Sequence, residues 1–245
     1  MASYESSSCC TKGYKHSGTP TGEIVTFEDV DIYVAKPTTE APTRAVIYLA
    51  DIFGMPFLNH KIISDNFAKQ GYLAILPNLF GDDPAPFPMP AEFDFPSWRA
   101  VHNIEYTEPI IEKAFEYTKK EFPSVTQFFS VGYCFGGKYV VRLLDEGKLD
   151  GGFIAHPSFV TEPELRAIKG PLSIAAAETD HLMPEEQRHL TEKVLKEIGA
   201  TYLLTLYSSV EHGFAVRGDP SDPVTMWAHE AAFYQAVQWF NRFSK

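Results

Sequence analysis

The fold of this chain is decided by the stretch TQFFSVGYCFGGKYVVRLLDEG, residues 126–147. The bounded apolar run at 126–133 predicts a buried strand, and residues 136–146 predict the helix that follows it. Between them, a glycine stands two positions before Cys134 and another two positions after it. A tight turn from strand to helix strains the backbone of its central residue, and flanking glycines remove Cβ groups that would collide there. The pattern therefore predicts a turn that displays the Cys134 side chain at a strand end.

The position of Cys134 favours a reactive thiolate. The helix after the turn directs its N-terminal amides and the positive end of its dipole at the side chain, which stabilises the thiolate and lowers the thiol pKa. The N–H of Phe135 is placed to stabilise an oxyanion that develops when the sulfur attacks a carbonyl group. The alternative is a buried structural cysteine beside a glycine pair.

Outward from this turn, predicted strands and helices alternate along the chain. This alternation predicts one α/β domain, residues 1–245, with a mostly parallel central sheet and helices on both faces. The predicted strands, after a β-ribbon at 23–36, are 45–50, 72–77, 126–133, 151–156, 171–178 and 201–207, and the predicted helices are 58–70, 105–121, 136–146, 162–168, 184–198 and 225–243. In open sheets of this kind, functional residues collect just after the strands.

The segment 78–99 differs from the rest of the chain. Residues 78–98 hold five prolines and show little periodicity. A loop of this length inside a compact domain is usually functional. We therefore expect 78–99 to form a lid.

A nucleophile at such a turn needs a base, and the base needs an orienting acid. In the α/β-hydrolase fold the acid and then the histidine follow the nucleophile along the chain. Asp180 follows the strand at 171–178, and His212 follows the strand at 201–207, so the sequence predicts a Cys134–His212–Asp180 triad. The alternative interpretation is that Asp180 only caps the following helix and that His212 is only a turn residue. His181 is a rival base, and His156 is more typical of a structural or pocket-wall residue.

The second oxyanion donor is expected in the loop after the strand at 45–50. There the Ile52 N–H is the candidate. Asp51, beside it, is an acid at the end of a central strand, where an unpaired buried carboxylate is costly. It is expected to restrain the thiol before substrate arrives, or else simply to cap the loop.

The composition excludes several classes of function. The net charge is −11 with no dense basic run, which argues against nucleic acid and anionic membranes as partners. No His, Asp or Glu cluster has metal-ligand spacing, and no cofactor is expected. Three cysteines are too few for a disulfide scaffold, so a reducing, cytoplasmic location is expected. Lipidation of Cys9 and Cys10 is the alternative for that pair.

Four motifs together resemble the dienelactone hydrolase family, and the resemblance spans roughly residues 22–243. They are LADIFG (49–54), GYCFGG (132–137), AAETDH (176–181) and EHGFAVRGD (211–219). The segment 1–22 resembles the N-terminal extension of fungal members. The resemblance implies hydrolysis of a small lactone or activated ester through a cysteine acyl-enzyme, in a monomer or homodimer.

The resemblance also implies residues that contact substrate. In the family the strand-end acid is usually a glutamate that hydrogen-bonds the resting cysteine, and Asp51 occupies that position here. Family arginines bind a substrate carboxylate. The matching position four residues after His212 is Val216, so the candidates are the next residue, Arg217, and Arg99 near the lid. Tyr133 is a further candidate. For both arginines the alternative is a solvated surface charge.

Two other functions stay open at this stage. The same triad can serve a natural-product cyclase, isomerase or thioesterase, which product analysis separates from a hydrolase. Cys134 can also be a reactive thiol in a non-enzymatic sensor, which a thiol of ordinary pKa and the lack of esterase activity would support.

Overall fold

The predicted strands form one eight-stranded sheet in the computed structural model, which describes residues 13–245. Cys9, Cys10 and the first part of the predicted extension lie outside the described residues. The spatial order of the strands is β1-β2-β4-β3-β5-β6-β7-β8. The strands are β1 Glu23–Phe27, β2 Val30–Ala35, β3 Arg44–Leu49, β4 Leu73–Pro77, β5 Gln127–Tyr133, β6 Gly151–Ala155, β7 Leu172–Thr179 and β8 Tyr202–Glu211.

Antiparallel pairing is confined to β2, which pairs with β1 on one side and β4 on the other. The remaining neighbours, from β4 through β8, pair in parallel. The predicted α/β fold with a mostly parallel sheet is therefore confirmed. Because parallel strands lie between helices, the central strands are buried on both faces, which is why they appear as unbroken apolar runs in the sequence.

The helices cover both faces of the sheet. They are α1 Leu58–Lys69, α2 Phe95–Val101, α3 Ile104–Glu121, α4 Phe135–Asp145, α5 Glu162–Ala167, α6 Glu185–Glu197, α7 Phe214–Arg217 and α8 Pro223–Phe243. No helix in the described part of the chain is long and apolar enough to cross a membrane.

Three segments differ from the sequence-based expectation, one of them being the short helix α7, which was not predicted. The end of the predicted loop at 78–99 is helical: Asp94 accepts the Ser97 N–H and so caps α2, a signal hidden among the prolines. Strand β8 continues to Glu211 rather than ending at 207. It is an edge strand, so its last residues are polar and partly solvated, and an apolar-run criterion misses them.

Residues 13–22 pack on the body of the domain. Asp65 on α1 accepts the backbone N–H groups of Thr21 and Gly22, and the Asn59 amide donates to the carbonyls of Tyr14 and Val216. The described part of the N-terminal segment therefore lies across α1 and α7.

Candidate active site

Strand β5 and helix α4 meet at Cys134 in the strained turn that the glycine pattern predicts. Cys134 has φ 51° and ψ −109°, a conformation that side-chain-bearing residues rarely adopt. A Cβ at Gly136 would lie 2.1 Å from the Leu49 carbonyl oxygen, and one at Gly132 would lie 2.6 Å from the Gly136 oxygen. These close approaches explain why both positions require glycine. The turn that they form places the fully buried Cys134 at the sheet edge.

The structure brings Cys134, His212 and Asp180 together in a row. His212 forms a side-chain hydrogen bond with Cys134. On its other side, Nδ1 of His212 lies 2.9 Å from Oδ2 of Asp180. The His212 and Asp180 side chains are at most 1% exposed, so their interaction is little screened by solvent.

Asp180 is held by the turn in which it lies. Its Oδ1 accepts the N–H groups of Leu182 and Met183, which leaves Oδ2 directed at His212. Helix α6 begins after Pro184 without a side-chain cap, so Asp180 does not cap that helix. Burial raises the pKa of Asp180, but the charge of His212 and these backbone hydrogen bonds outweigh it and lower the pKa.

The charge state of His212 follows from its two partners. Burial lowers its pKa, but the Asp180 carboxylate and the Cys134 thiolate outweigh burial and raise the pKa to about 10. These partners therefore favour the imidazolium form of His212 at neutral pH. The rival base His181 is exposed on the surface and lies outside this buried row.

The two predicted oxyanion donors follow β3 and β5, which are neighbouring parallel strands. Phe135 is the first residue of α4, so its N–H is among those without an intrahelical acceptor. Ile52 is fully buried after β3, in a turn closed by the hydrogen bond from Gly54 N–H to Asp51 O. Asp51 Oδ1 also accepts the Phe53 N–H, so the loop-capping role holds for Asp51.

Asp51 also has two charged or polar side-chain partners. Arg217 donates to its Oδ2 at 2.5 Å, and Nε2 of His60 lies 2.8 Å from its Oδ1. The second ring nitrogen of His60 contacts the Tyr48 hydroxyl at 2.9 Å. Burial raises the pKa of Asp51, but His60 and Arg217 more than offset it and bring the pKa to about 2. Arg217 is 2% exposed, so a solvated surface charge is excluded for it.

The other two predicted substrate-contact residues lie on either side of the turn. Arg99, on α2, places its guanidinium 4.7 Å from the ring centroid of Phe159 and 5.4 Å from that of Phe135, and donates to the His102 carbonyl. Tyr133 is buried at the end of β5, with its ring tilted against that of Tyr48 at a centroid distance of 5.1 Å. The four predicted contact residues thus divide into a buried ion pair, Asp51–Arg217, and two residues at separate places near Cys134.

Sequence reasoning missed one residue that contacts the nucleophile. Oγ of Ser158 lies 2.9 Å from Sγ of Cys134, and both residues are fully buried. Ser158 lies in the loop after β6. Its place just after a predicted strand is the sequence feature that could have identified it. The neighbouring His156 packs edge-to-face on His212, with ring centroids 4.9 Å apart. Burial and the positive charge of His212 hold the pKa of His156 well below its usual range.

The segment 78–99 lies over the turn. The Phe80 ring packs on Phe135 at 5.1 Å and on Trp98 at 5.0 Å, and the Ala85 N–H donates to the Ile52 carbonyl. Beside His212, a pocket of about 760 Å³ is lined by residues that include Tyr14, Phe87, Phe214 and Arg217. Among residues 13–245, no group of three or more His, Cys, Asp or Glu side chains could hold a metal ion.

Comparisons with known proteins agree with this fold. The model of the dienelactone hydrolase family matches residues 30–244. The hydrolase TropI of Talaromyces stipitatus is 44% identical over 100% of this chain and 99% of its own, and the hydrolase PyvD of Aspergillus violaceofuscus is 41% identical over the whole of both. A putative dienelactone hydrolase from Klebsiella pneumoniae superposes with a TM-score of 0.73 at 17% identity, covering 88% of this chain and 94% of that one.

Proposed function

Because this chain belongs to the dienelactone hydrolase family, we propose that it hydrolyses small lactones or activated esters through an acyl-enzyme on Cys134. The observation that carries the proposal is the row of three buried side chains, with the His212 imidazole between Asp180 and Cys134. A nucleophile, a base and an acid that orients the base act together in this chemistry.

In the first half-reaction the Cys134 thiolate attacks the substrate carbonyl and a C–S bond forms. The N–H groups of Ile52 and Phe135 stabilise the oxyanion. When the tetrahedral intermediate collapses, the C–O bond breaks, and the leaving oxygen takes the proton from the His212 imidazolium. Asp180 keeps the imidazole oriented and stabilises its charge while the proton is held.

In the second half-reaction a water molecule attacks the thioester. His212 accepts the water proton, the C–S bond breaks, and the sulfur leaves as the thiolate beside the restored imidazolium. Thiolates are expelled more readily than alkoxides, so the nucleophile suits substrates whose own leaving group is good, such as enol esters and aryl esters. This order returns every group to its starting protonation state.

Segment 78–99 acts as the lid in this proposal. Phe80 and Trp98 pack over Phe135, and Cys134 is 0% exposed, so substrate needs a movement to reach the sulfur, and we assign that movement to this segment. Closing the cover behind the substrate excludes bulk water and strengthens the electrostatic contacts with the oxyanion.

The test is hydrolysis of p-nitrophenyl acetate and of an enol lactone by wild type and Cys134→Ala. We expect Cys134→Ala to lose turnover. A Cys9→Ala/Cys10→Ala variant removes the two other cysteines and is the matched control, which should keep full activity. Rapid quenching followed by intact-mass analysis should show an acyl group on Cys134. Undiminished turnover by Cys134→Ala would refute the proposal.

Product analysis in oxygen-18 water separates hydrolysis from ring formation or isomerisation by the same triad. Hydrolysis places one solvent oxygen in each carboxylic acid released, because water attacks the acyl-enzyme carbonyl. A cyclase or isomerase gives a product with no solvent oxygen. We expect incorporation of one oxygen per turnover.

A further inference from the structure

The loop that follows β6 reaches the reacting sulfur, and the triad makes no use of it. Its residue Ser158 places Oγ 2.9 Å from Sγ of Cys134. Ser158 is fully buried, so no bulk water competes for its hydroxyl. A buried hydroxyl without a hydrogen-bond partner destabilises the fold, and Sγ of Cys134 lies at hydrogen-bond distance from this one.

The backbone fixes this loop against the nucleophile. The Ser158 N–H donates to the Cys134 carbonyl at 3.0 Å, and the His156 N–H donates to Ala175. His156 and Phe159, on either side, have φ values of 38° and 63°, which is rare for residues with side chains. Strain of this kind persists where the surrounding contacts enforce it, and it concentrates at functional sites.

The acid that the family resemblance assigns to the resting cysteine is engaged elsewhere. Both carboxylate oxygens of Asp51 accept hydrogen bonds, one from Arg217 and the other from the Phe53 N–H, with His60 also at hydrogen-bond distance. Asp51 is also one methylene shorter than glutamate. Ser158 lies at hydrogen-bond distance from the sulfur.

We propose that Ser158 is the thiolate-positioning residue of this enzyme: its hydroxyl donates a hydrogen bond to Sγ of Cys134, holds the sulfur beside His212 and lowers the basicity of the thiolate. The proposal rests on the proposed function, because it assumes that the thiolate is the nucleophile. A thiolate carries no proton, so in the ion-paired state the hydroxyl is the donor and the sulfur the acceptor. When the sulfur becomes acylated it loses its negative charge, the hydrogen bond weakens, and the hydroxyl is released to turn elsewhere.

The experiment measures the pKa of the Cys134 thiol directly, in a Cys9→Ala/Cys10→Ala background. The readouts are thiolate ultraviolet absorbance and the rate of iodoacetamide alkylation against pH, neither of which requires substrate turnover. We expect Ser158→Ala to raise the thiol pKa by about one unit, which corresponds to the loss of one charge-assisted hydrogen bond. The alkylation rate should therefore fall about tenfold on the acidic limb of the profile.

Two further variants separate positioning from packing. Ser130→Ala removes another fully buried hydroxyl, which donates to the Ile47 carbonyl on β3, and it should leave the thiol pKa unchanged. Ser158→Thr keeps a hydroxyl at the position and should return the thiol pKa toward that of wild type, even if the extra methyl group lowers stability. An unchanged thiol pKa in Ser158→Ala would overturn the proposal, as would equal shifts in Ser158→Ala and Ser130→Ala.

The same set distinguishes this inference from the proposed function. If Cys134→Ala retained full esterase activity, the acyl-enzyme mechanism would fail, whereas the thiol titration would still report on the Ser158 contact. If Cys134→Ala were inactive and the thiol pKa did not respond to Ser158→Ala, only the positioning role would fail.

Discussion

Arg217 and Asp51, which lies in the loop after β3, form a buried ion pair, with 2.5 Å between the guanidinium nitrogen and the carboxylate oxygen. Breaking a buried pair by removing one partner leaves an uncompensated charge. We therefore expect Arg217→Met to lower the free energy of unfolding by about 3–5 kcal/mol in urea titrations. The double variant Asp51→Asn/Arg217→Met removes both charges and should recover much of that loss.

The control for this prediction is Arg166→Met. Arg166 pairs with Glu162 and Glu197 on the surface, where the charges are solvated. Exposed pairs contribute about 0–1 kcal/mol, so this variant should unfold near the wild-type midpoint. If Arg217→Met and Arg166→Met lowered the free energy of unfolding equally, burial would not explain the contribution of the Arg217–Asp51 pair.

The same ion pair predicts how stability depends on acid. The folded-state pKa of Asp51 is about 2, below its ordinary value of 3.8, so the charged carboxylate stabilises the fold above about pH 4. This contribution is lost as the pH falls through the folded pKa, and it amounts to about 2 kcal/mol. Urea unfolding between neutral pH and the acid limit should show a steeper loss for wild type than for Asp51→Asn/Arg217→Met. Parallel curves for the two proteins would exclude a depressed pKa at Asp51.

The pH dependence of turnover should report the charge of His212. The raised pKa of His212, about 10, favours the imidazolium through neutral and mildly alkaline pH, and in the proposed mechanism this imidazolium is paired with the Cys134 thiolate. We expect kcat/KM, corrected for spontaneous hydrolysis, to fall as the pH rises through about 10. Asp180→Asn removes the carboxylate that raises this pKa, so the alkaline limb should move to lower pH.

Asp180→Asn should also slow turnover at neutral pH. The carboxylate accepts the His212 Nδ1–H, and an amide in its place favours the wrong ring tautomer. By comparison with other triads we expect kcat to fall by a factor on the order of 10²–10⁴. An Asp180→Asn variant with wild-type kcat and an unmoved alkaline limb would remove Asp180 from the mechanism.

The glycines of the turn allow a matched pair of alanine variants. A Cβ at Gly136 would meet the Leu49 backbone oxygen at 2.1 Å, and neither backbone can shift without disturbing β3 or α4. At Gly151 on β6 the nearest atom is a Phe129 ring carbon at 3.4 Å, an ordinary contact. We expect Gly136→Ala to yield little folded enzyme, whereas Gly151→Ala should have a thermal midpoint near wild type. Folded, active Gly136→Ala would show that the close approach is not required.

The sequence predicts a feature well when the residues that form it lie close together along the chain. The turn at Cys134 was predictable because the backbone strain and the nearby glycines lie within a few residues. Asp180 and His212 were predictable because parallel strands end at one edge of the sheet. The Arg217–Asp51 pair joins residues 166 positions apart, and the Ser158 contact joins two strand ends. Sequence periodicity carries no information about such pairings, so they required the structure.

The aromatic cover over the nucleophile gives the last prediction. The Phe80 ring packs between Trp98 and Phe135, and Cys134, the residue before Phe135, is inaccessible to solvent. If alkylation requires this cover to open, Phe80→Ala should increase the iodoacetamide rate at Cys134, because fewer contacts hold the cover closed. The measurement is the rate of intact-mass increase in a Cys9→Ala/Cys10→Ala background.

A change in thiol reactivity can also come from a general loss of stability, so the prediction needs a second aromatic truncation elsewhere in the fold. Phe233→Ala serves this purpose, because its ring packs on Phe67 between α1 and α8 rather than over the turn. We expect Phe80→Ala, but not Phe233→Ala, to speed alkylation at a pH where the thiolate population is the same in both. KM should change more than kcat in Phe80→Ala if the cover mainly controls entry. Equal alkylation rates in the two variants would mean that Phe80 does not limit access, and that the sulfur is reached by another route.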